Sequence, residues 1–295
     1  MTMFKIITDT SANLDSALLK AQAIALVPFS FQSSGKEKTC LNTGAFRPKA
    51  YYDAMRKGVR VTTSQIPPQR YADAMRPILE AGQDVLYVGM SAGISSSFAS
   101  AQMAAVQLRP QFPARRICLV DTLGASLGEG LLVLEGARCR DEGMDVSAAA
   151  ARLDEMRLRM CQVFTVDDLK YLRATGRLSN AKAALATVLH IKPLLKGDTR
   201  GKIVSFARSR GRARSIADLA AQYDKYVVDA ANQTVGIAHA DCPEDAKALA
   251  ALLNKTNPPR DILTVDYEPV TGSHVGPGAL ALFFLGKSEF RSAED

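Results

Sequence analysis

The sequence lacks any run of 18 or more apolar residues, so it predicts no membrane-spanning helix. Its first ten residues, MTMFKIITDT, contain no apolar signal core, and no secretory signal is predicted. The five cysteines are odd in number, widely scattered and free of CxxC pairs, which excludes a disulfide framework. Together these absences predict a reduced, cytoplasmic compartment.

Charge is distributed unevenly along a chain of 295 residues that has otherwise globular composition. Residues 170–214 contain twelve Lys or Arg and a single acid, Asp198, giving a local net charge of +11. Since the whole chain carries +7, the remainder carries −4. The sequence therefore predicts one basic face that meets an anionic partner.

Element patterns predict an α/β fold with two domains. Through residues 1–150, short apolar runs alternate with helical stretches, which indicates a parallel sheet with helices on both faces. The run at 84–89 is apolar almost throughout, as buried parallel strands are. Residues 151–295 predict a second, α+β domain with strands near 161–165, 203–207, 234–240 and 263–269.

Three segments share one local pattern, in which a strand runs into a loop rich in Ser, Thr and Gly and then into a helix. They are residues 62–68, 91–97 and 121–126. Such loops converge at the carboxyl edge of a parallel sheet, where free backbone N–H groups and hydroxyls suit a carboxylate or phosphate. Ordinary helix capping explains any single Ser or Thr equally well.

His274 stands in a glycine loop, residues 272–278, where backbone can approach a ligand closely. Its ring could donate to an oxyanion or move a proton, or it could simply bond its own turn. His190 and His239 lie in apolar patterns that favour core or surface roles. Three dispersed histidines make a weak metal site, and none is predicted.

Ser126 lies in a G-x-S-x-G pattern, which is also that of the serine hydrolase nucleophile elbow. A true elbow places its serine directly between strand and helix, whereas the apolar run here ends six positions earlier, at Val120. A Ser126 hydrolase is therefore kept only as an alternative.

Arg208, Arg210, Arg212 and Arg214 alternate in a segment that we expect to be extended, projecting to one side. No aromatic platform and no nucleic-acid-binding motif accompanies them, so nucleic acid is not the predicted partner. A solvated face and a docking site for an acidic or phosphate-bearing partner stay open. No nucleotide-binding glycine motif is present.

Ten short motifs, in this order, resemble one family. They are residues 7–14 (ITDTSANL), 63–65 (TSQ), 91–98 (SAGISSSF), 120–122 (VDT), 126–130 (SLGEG), 167–172 (DDLKYL), 176–179 (GRLS), 191–193 (IKP), 210–211 (RG) and 274–278 (HVGPG). The chain resembles the DegV family of bacterial fatty-acid-binding proteins, which includes FakB, the lipid-carrying subunit of fatty acid kinase.

The resemblance implies a two-domain DegV-type fold with a long-chain fatty acid, such as palmitate or oleate, in an apolar tunnel between the domains. By position, Thr63 and Ser95 would hydrogen-bond its carboxylate. The backbone N–H of Ser96 would assist, and His274 would lie beside the same head group. The family usually has glycine where this chain has Ser96.

The resemblance also implies a partner. Arg177, with Arg208 and Arg210 of the basic segment, would face a FakA-like kinase subunit that phosphorylates the presented carboxylate. The chain itself would then be a non-catalytic carrier without a cofactor. A lipid-binding or transport protein without a kinase partner is the alternative.

Overall fold

The computed structural model describes residues 4–40, 45–179 and 191–292. The strands are β1 Phe4–Asp9, β2 Ala25–Val27, β3 Ser30–Ser33, β4 Lys36–Thr39, β5 Val61–Ser64, β6 Asp84–Gly89, β7 Ile117–Asp121, β8 Met160–Thr165, β9 Ile191–Gly197, β10 Ile203–Arg210, β11 Thr234–His239, β12 Asp261–Asp266 and β13 Leu280–Leu285. The helices are α1 Ser16–Ala21, α2 Pro48–Arg56, α3 Pro68–Glu80, α4 Ser97–Leu108, α5 Leu127–Asp141, α6 Val146–Met156, α7 Lys170–Ala174, α8 Arg212–Tyr226, α9 Pro243–Thr256, α10 Pro269–Val275 and α11 Glu289–Ser292.

The chain divides into two compact units. The first contains residues 1–46 and 61–157, and the second contains residues 47–60 and 158–295. Helix α2 thus belongs to the second unit although both of its neighbours in the chain, β4 and β5, belong to the first. The sequence pattern carries no sign of this excursion, because α2 is an ordinary short amphipathic helix with a proline at its start.

The first unit is built on a parallel sheet with strand order β2-β1-β6-β7. Every residue of β6 is buried, so this strand is covered on both faces. Helices α3 and α4 pack together, as do α5 and α6, and both pairs contact the sheet. This confirms the predicted parallel sheet, whose continuous apolar run is the mark of a strand without a solvent face.

A small antiparallel sheet, β4-β3-β5, completes the first unit. Its β3–β4 hairpin turns at Ser34 and Gly35, both with positive φ, as a two-residue hairpin turn requires. In its other pairing Phe31 stands opposite Thr63, which places the predicted head-group threonine on a paired strand.

The second unit is built on a six-stranded sheet of order β10-β9-β8-β13-β11-β12, antiparallel except between β11 and β12. Helices α8 and α9 pack against each other and against this sheet over an apolar core that includes Leu219, Tyr223 and Phe284. The α+β arrangement agrees with the prediction, but strands β9 and β13 had not been predicted.

Two predictions about local structure were wrong, and one lies outside the described residues. Residues 272–275 form the last turns of α10 rather than a glycine loop. The arginine segment is not extended throughout, because β10 ends at Arg210 and Arg212 and Arg214 already belong to α8. The helix predicted at 179–187 falls, after its first residue, outside the described residues, as does His190.

Candidate functional site

In the first unit, the chain order reverses between β1 and β6, since β2 lies on one side of β1 and β6 on the other. Ligands of open α/β sheets bind at the carboxyl ends of the strands at such a switch point. The loops following β1, β6 and β7 meet there: the amide of Met90 donates to Asp9 Oδ2 at 3.3 Å, and the amide of Ser91 donates to Gly124 O at 2.8 Å.

Ser95 lies in the loop between β6 and α4, and Thr63 lies near the end of β5. Ser97 joins their two segments: the amide of Ile66, three residues after Thr63, donates to Ser97 Oγ at 3.0 Å. Ser95 Oγ lies 3.1 Å from that same oxygen and accepts a 3.2 Å bond from the amide of Ser97. The structure therefore brings together the segments of the two predicted head-group hydroxyls.

Ser95 and Ser96 have different roles at the start of α4. Ser95 does cap this helix, as the alternative interpretation held, but one capping bond uses only one of the two lone pairs on its oxygen. Ser96 occupies the position before α4, and its exposed side chain makes no capping bond. Thr63 and Ser95 are both half-buried, which leaves part of each side chain accessible.

Behind this loop lies a buried polar cluster that the residue-by-residue analysis had not singled out. Asp9 is fully buried and accepts bonds from the amide of Ser11 at 2.9 Å and the hydroxyl of Tyr87 at 2.8 Å. Glu129, also fully buried, accepts from the hydroxyl of Thr8 at 3.0 Å and contacts Ser11 Oγ. Burial raises the pKa of Asp9, against the lowering effect of these hydrogen bonds.

The cluster explains why the 7–14 and 126–130 motifs occur in one protein. A side chain at Gly130 would meet the backbone oxygen of Ala12 at 2.4 Å, so only glycine allows α5 to approach the turn Thr10–Ala12. That approach carries Glu129 to Ser11. The signal available in the sequence was the paired motifs, since their contact spans more than a hundred residues.

Ser126 has backbone angles φ 54° and ψ −140°, which are strained for any residue other than glycine. Its side chain is buried, and its Oγ accepts a 3.1 Å bond from the amide of Asn13 rather than from a general base. The first unit contains no histidine at any position of its sequence. Within its unit, Ser126 lacks the base that the hydrolase alternative needs.

In the second unit, His274 lies in the last turn of α10. Glu268 caps this helix by accepting 2.5 Å bonds from the amides of Val270 and Thr271, and Pro269 occupies its first position. Burial, together with the positive charge of Arg177, lowers the pKa of His274 to about 4. Its imidazole is therefore neutral at pH 7 and offers one donor and one acceptor rather than a charge.

The glycines that follow His274 are required by close packing against the 167–172 motif. A side chain at Gly276 would lie 2.2 Å from the ring of Tyr171, and one at Gly278 would lie 2.1 Å from the carboxylate of Asp167. Both glycines also have positive φ, near 80°. The 274–278 and 167–172 motifs thus form one structural element of the second unit.

The arginines of the basic segment separate into two groups. Arg208 and Arg210 are exposed and stand on one face of β10, with the buried Ser209 between them on the other. Arg212 instead pairs with Asp245 at 2.8 Å, and Arg214 pairs with Asp218 at 2.9 Å on its own helix.

Arg177, the predicted docking residue that charges the surroundings of His274, donates to Thr175 O at 2.5 Å and is half-buried.

Across the described ranges, no group of three or more His, Cys, Asp or Glu side chains could hold a metal ion. In the same ranges, none of the helices combines the length and the apolar character that crossing a bilayer requires.

The chain is similar to members of one family over nearly its full length. A family model described as "Uncharacterised protein, DegV family" matches residues 3–287. A DegV domain-containing protein of Clostridium perfringens is 34% identical over 98% of this chain and 99% of its own length. A second one, from Streptococcus pyogenes, is 31% identical over 97% of this chain and 99% of its own.

Solved structures give the same result. A DegV family protein from Thermus thermophilus, described by its fatty acid binding, superimposes with a TM-score of 0.87 at 27% identity, covering 97% of this chain and all of its own. A fatty-acid-binding DegV family protein from Streptococcus agalactiae gives a TM-score of 0.85, also at 27% identity, 97% of this chain and all of its own. The chain belongs to the DegV family.

Proposed function

We propose that this protein binds a long-chain fatty acid and presents its carboxylate to a partner kinase subunit for acyl-phosphate formation. One observation carries the first half: relatives of the same fold over 97% of this chain, from Thermus thermophilus and Streptococcus agalactiae, are fatty-acid-binding proteins. The protein itself acts as a carrier, and the phosphoryl chemistry belongs to the partner.

Affinity comes mainly from the acyl chain. Burying each CH₂ contributes about 0.8 kcal/mol, so a C16 chain supplies roughly 12 kcal/mol before ordering costs. Hydroxyl bonds from Thr63 and Ser95 then position the carboxylate, and His274 is the remaining proposed head-group contact. Because the imidazole is neutral at pH 7, it adds a hydrogen bond rather than an ion pair.

The second half of the proposal rests on charge. Arg177 and the exposed pair Arg208 and Arg210 belong to the segment of net charge +11. Such a segment attracts an acidic protein surface or the phosphate that the partner transfers, chiefly by increasing the association rate. The exposed position of Arg208 and Arg210 on one strand face supports docking there.

The first test is mass spectrometry of the organic extract of purified protein that has never been delipidated. We expect one fatty acid in stoichiometric amount, and its chain length measures the acyl site. An empty extract, together with failure to take up added palmitate or oleate, would contradict the fatty-acid function. Bound lipid without acyl-phosphate formation by an added kinase subunit would leave a carrier that lacks a kinase partner.

A further inference from the structure

A continuous run of hydrogen bonds in the first unit connects the buried acid Glu129 with Ser95. We call it the buried chain. Its members, in order, are Glu129, Ser11, Asp9, Tyr87, Tyr71, Ser97 and Ser95. The oxygen–oxygen distances include 2.6 Å for Ser11–Asp9, 2.8 Å for Asp9–Tyr87, 3.0 Å for Tyr87–Tyr71 and 3.1 Å for Ser97–Ser95. Four elements of the unit contribute: β1, β6, α3 and α5, besides the loop of Ser95.

Ser11 shows that at least one acid of the chain carries a proton. Its hydroxyl oxygen contacts both Asp9 Oδ1 and Glu129 Oε2, yet it has a single hydrogen to donate. Two carboxylates cannot share that one hydrogen, so one of them must donate its own. Asp9 receives two backbone amides, Ser11 and Met90, and a hydroxyl from Tyr87, which favours its charged form. The proton therefore resides on Glu129.

Counting hydrogens then sets the direction of every bond. The chain has six contacts and five hydroxyl hydrogens, from Ser11, Tyr87, Tyr71, Ser97 and Ser95. Burial holds the pKa of both tyrosines well above the usual range, so both phenols keep their protons. With one acid proton added, six hydrogens fill six contacts, and each hydroxyl between Asp9 and Ser95 points towards Asp9.

In this state, Ser95 is a poor donor to a ligand. Its hydrogen is directed at Ser97, while its oxygen already accepts the amide of Ser97 at 3.2 Å. What it presents outward is a lone pair, which repels a carboxylate oxygen. A second acid proton, on Asp9 Oδ2, reverses the bonds at Tyr87, Tyr71 and Ser97. Ser95 then receives a bond from Ser97 and is able to donate its own hydrogen outward.

We propose that a fatty acid carboxylate docks at Ser95 together with one proton, which is stored on Asp9 at the far end of the buried chain. This inference rests on the proposed function and adds its regulation by pH. The balance is the same if the ligand arrives as the neutral acid and donates to the lone pair of Ser95, since the complex again holds one proton more than protein and anion apart. The titratable groups that face Asp9 are Tyr87 from β6, Tyr71 from α3 and Glu129 from α5.

The experiment is calorimetric titration of delipidated full-length protein with oleate at about pH 7.5, repeated in buffers with different ionisation enthalpies. The wild type is expected to take up about one proton per oleate, and its affinity should fall up to tenfold for each rise of one pH unit. Asp9→Asn should abolish the uptake, because its amide group donates permanently to Tyr87. Glu129→Gln should keep the uptake, because its amide group replaces the protonated acid as donor to Ser11.

Two further variants cut the chain without altering either acid. Tyr87→Phe and Ser95→Ala should each abolish proton uptake, so the test survives if Asp9→Asn fails to fold. Tyr223→Phe, which removes a comparable tyrosine bond to Asn257 O in the second unit, should leave the uptake unchanged.

Oleate binding without proton uptake, or uptake that persists in Asp9→Asn and Tyr87→Phe, would overturn the proton linkage and leave the fatty-acid function intact. Failure of wild-type protein to bind oleate would overturn both.

Discussion

His274 illustrates how surroundings, rather than residue type, determine what a side chain can do. A histidine in a glycine-rich stretch suggests an exposed, titrating ring, but here the ring lies on a helix, partly buried and close to Arg177. Both effects disfavour the imidazolium ion. Any role at a carboxylate is therefore that of a neutral hydrogen-bonding group.

Accordingly, His274 should stay neutral in the ligand-free protein until the pH approaches about 4, whereas an unfolded histidine titrates near 6.5. Since only the unfolded state gains a proton between those values, stability should decline as pH falls through this window, by up to about 3 kcal/mol. NMR titration of the imidazole signals checks the pKa. His274→Gln should remove this part of the pH dependence, and an imidazole that titrates near 6.5 would contradict the assignment.

Thr63→Ala and Ser95→Ala should each weaken fatty acid binding roughly 10- to 100-fold, the range of one hydrogen bond to a charged group, about 1.5–3 kcal/mol. Fluorescence titration with a labelled fatty acid measures the effect. Thr62→Ala is the matched control, because it removes the same groups from the exposed position that precedes Thr63 on β5. Equal affinities in all three variants would rule out the head-group assignment.

At the level of elements, regular periodicity was predictable and context-dependent structure was not. Strand β6 matched its predicted bounds, residues 84–89, because its apolar run is continuous and flanked by turn residues. Helix α10 was not predicted, because Gly272 and Gly276 suggest a loop. The Glu268 cap and Pro269 at the first position stabilise the helix despite them. The contact of Glu129 with Ser11 was also beyond local pattern, because it joins distant segments.

The element formed by the 274–278 and 167–172 motifs should not tolerate a side chain at Gly276. Gly276→Ala combines a φ of 81° with a Cβ only 2.2 Å from the Tyr171 ring, so we expect a loss of more than about 2 kcal/mol. Gly58→Ala, also in the second unit, has a φ of 91° but no neighbour within 4 Å and should cost only the backbone strain. Urea unfolding of both variants measures the difference, and equal losses would contradict the packing argument.

For the molecule as a whole, charge separates the carrier's surfaces by task. The segment 170–214 carries +11 within a chain of +7, so the rest is net acidic. Composition alone predicted this division, because charge is counted directly from residues. Which arginines belong to the exposed group required the structure, since Arg212 and Arg214 are engaged with Asp245 and Asp218.

Arg177→Ala should leave fatty acid content unchanged but slow acyl-phosphate formation by an added kinase subunit, and combining it with Arg208→Ala should slow it further. Arg214→Ala is the control, because that side chain is 70% exposed yet paired on its own helix. Raising the salt concentration should reduce the wild-type rate and compress the differences. Unimpaired transfer in the Arg177 variants would remove this residue from the docking surface.

The excursion of α2 also has a consequence for how the protein is made. Tyr52, fully buried, donates from its hydroxyl to the carbonyl of Tyr267 at 2.7 Å, 215 residues further along the chain. At synthesis rates of about 5–20 residues per second, α2 leaves the ribosome roughly 10–40 s before its partner exists. During that interval the apolar face of α2 lacks its final partner. Nascent chains stalled before residue 267 should therefore be the form most dependent on chaperones.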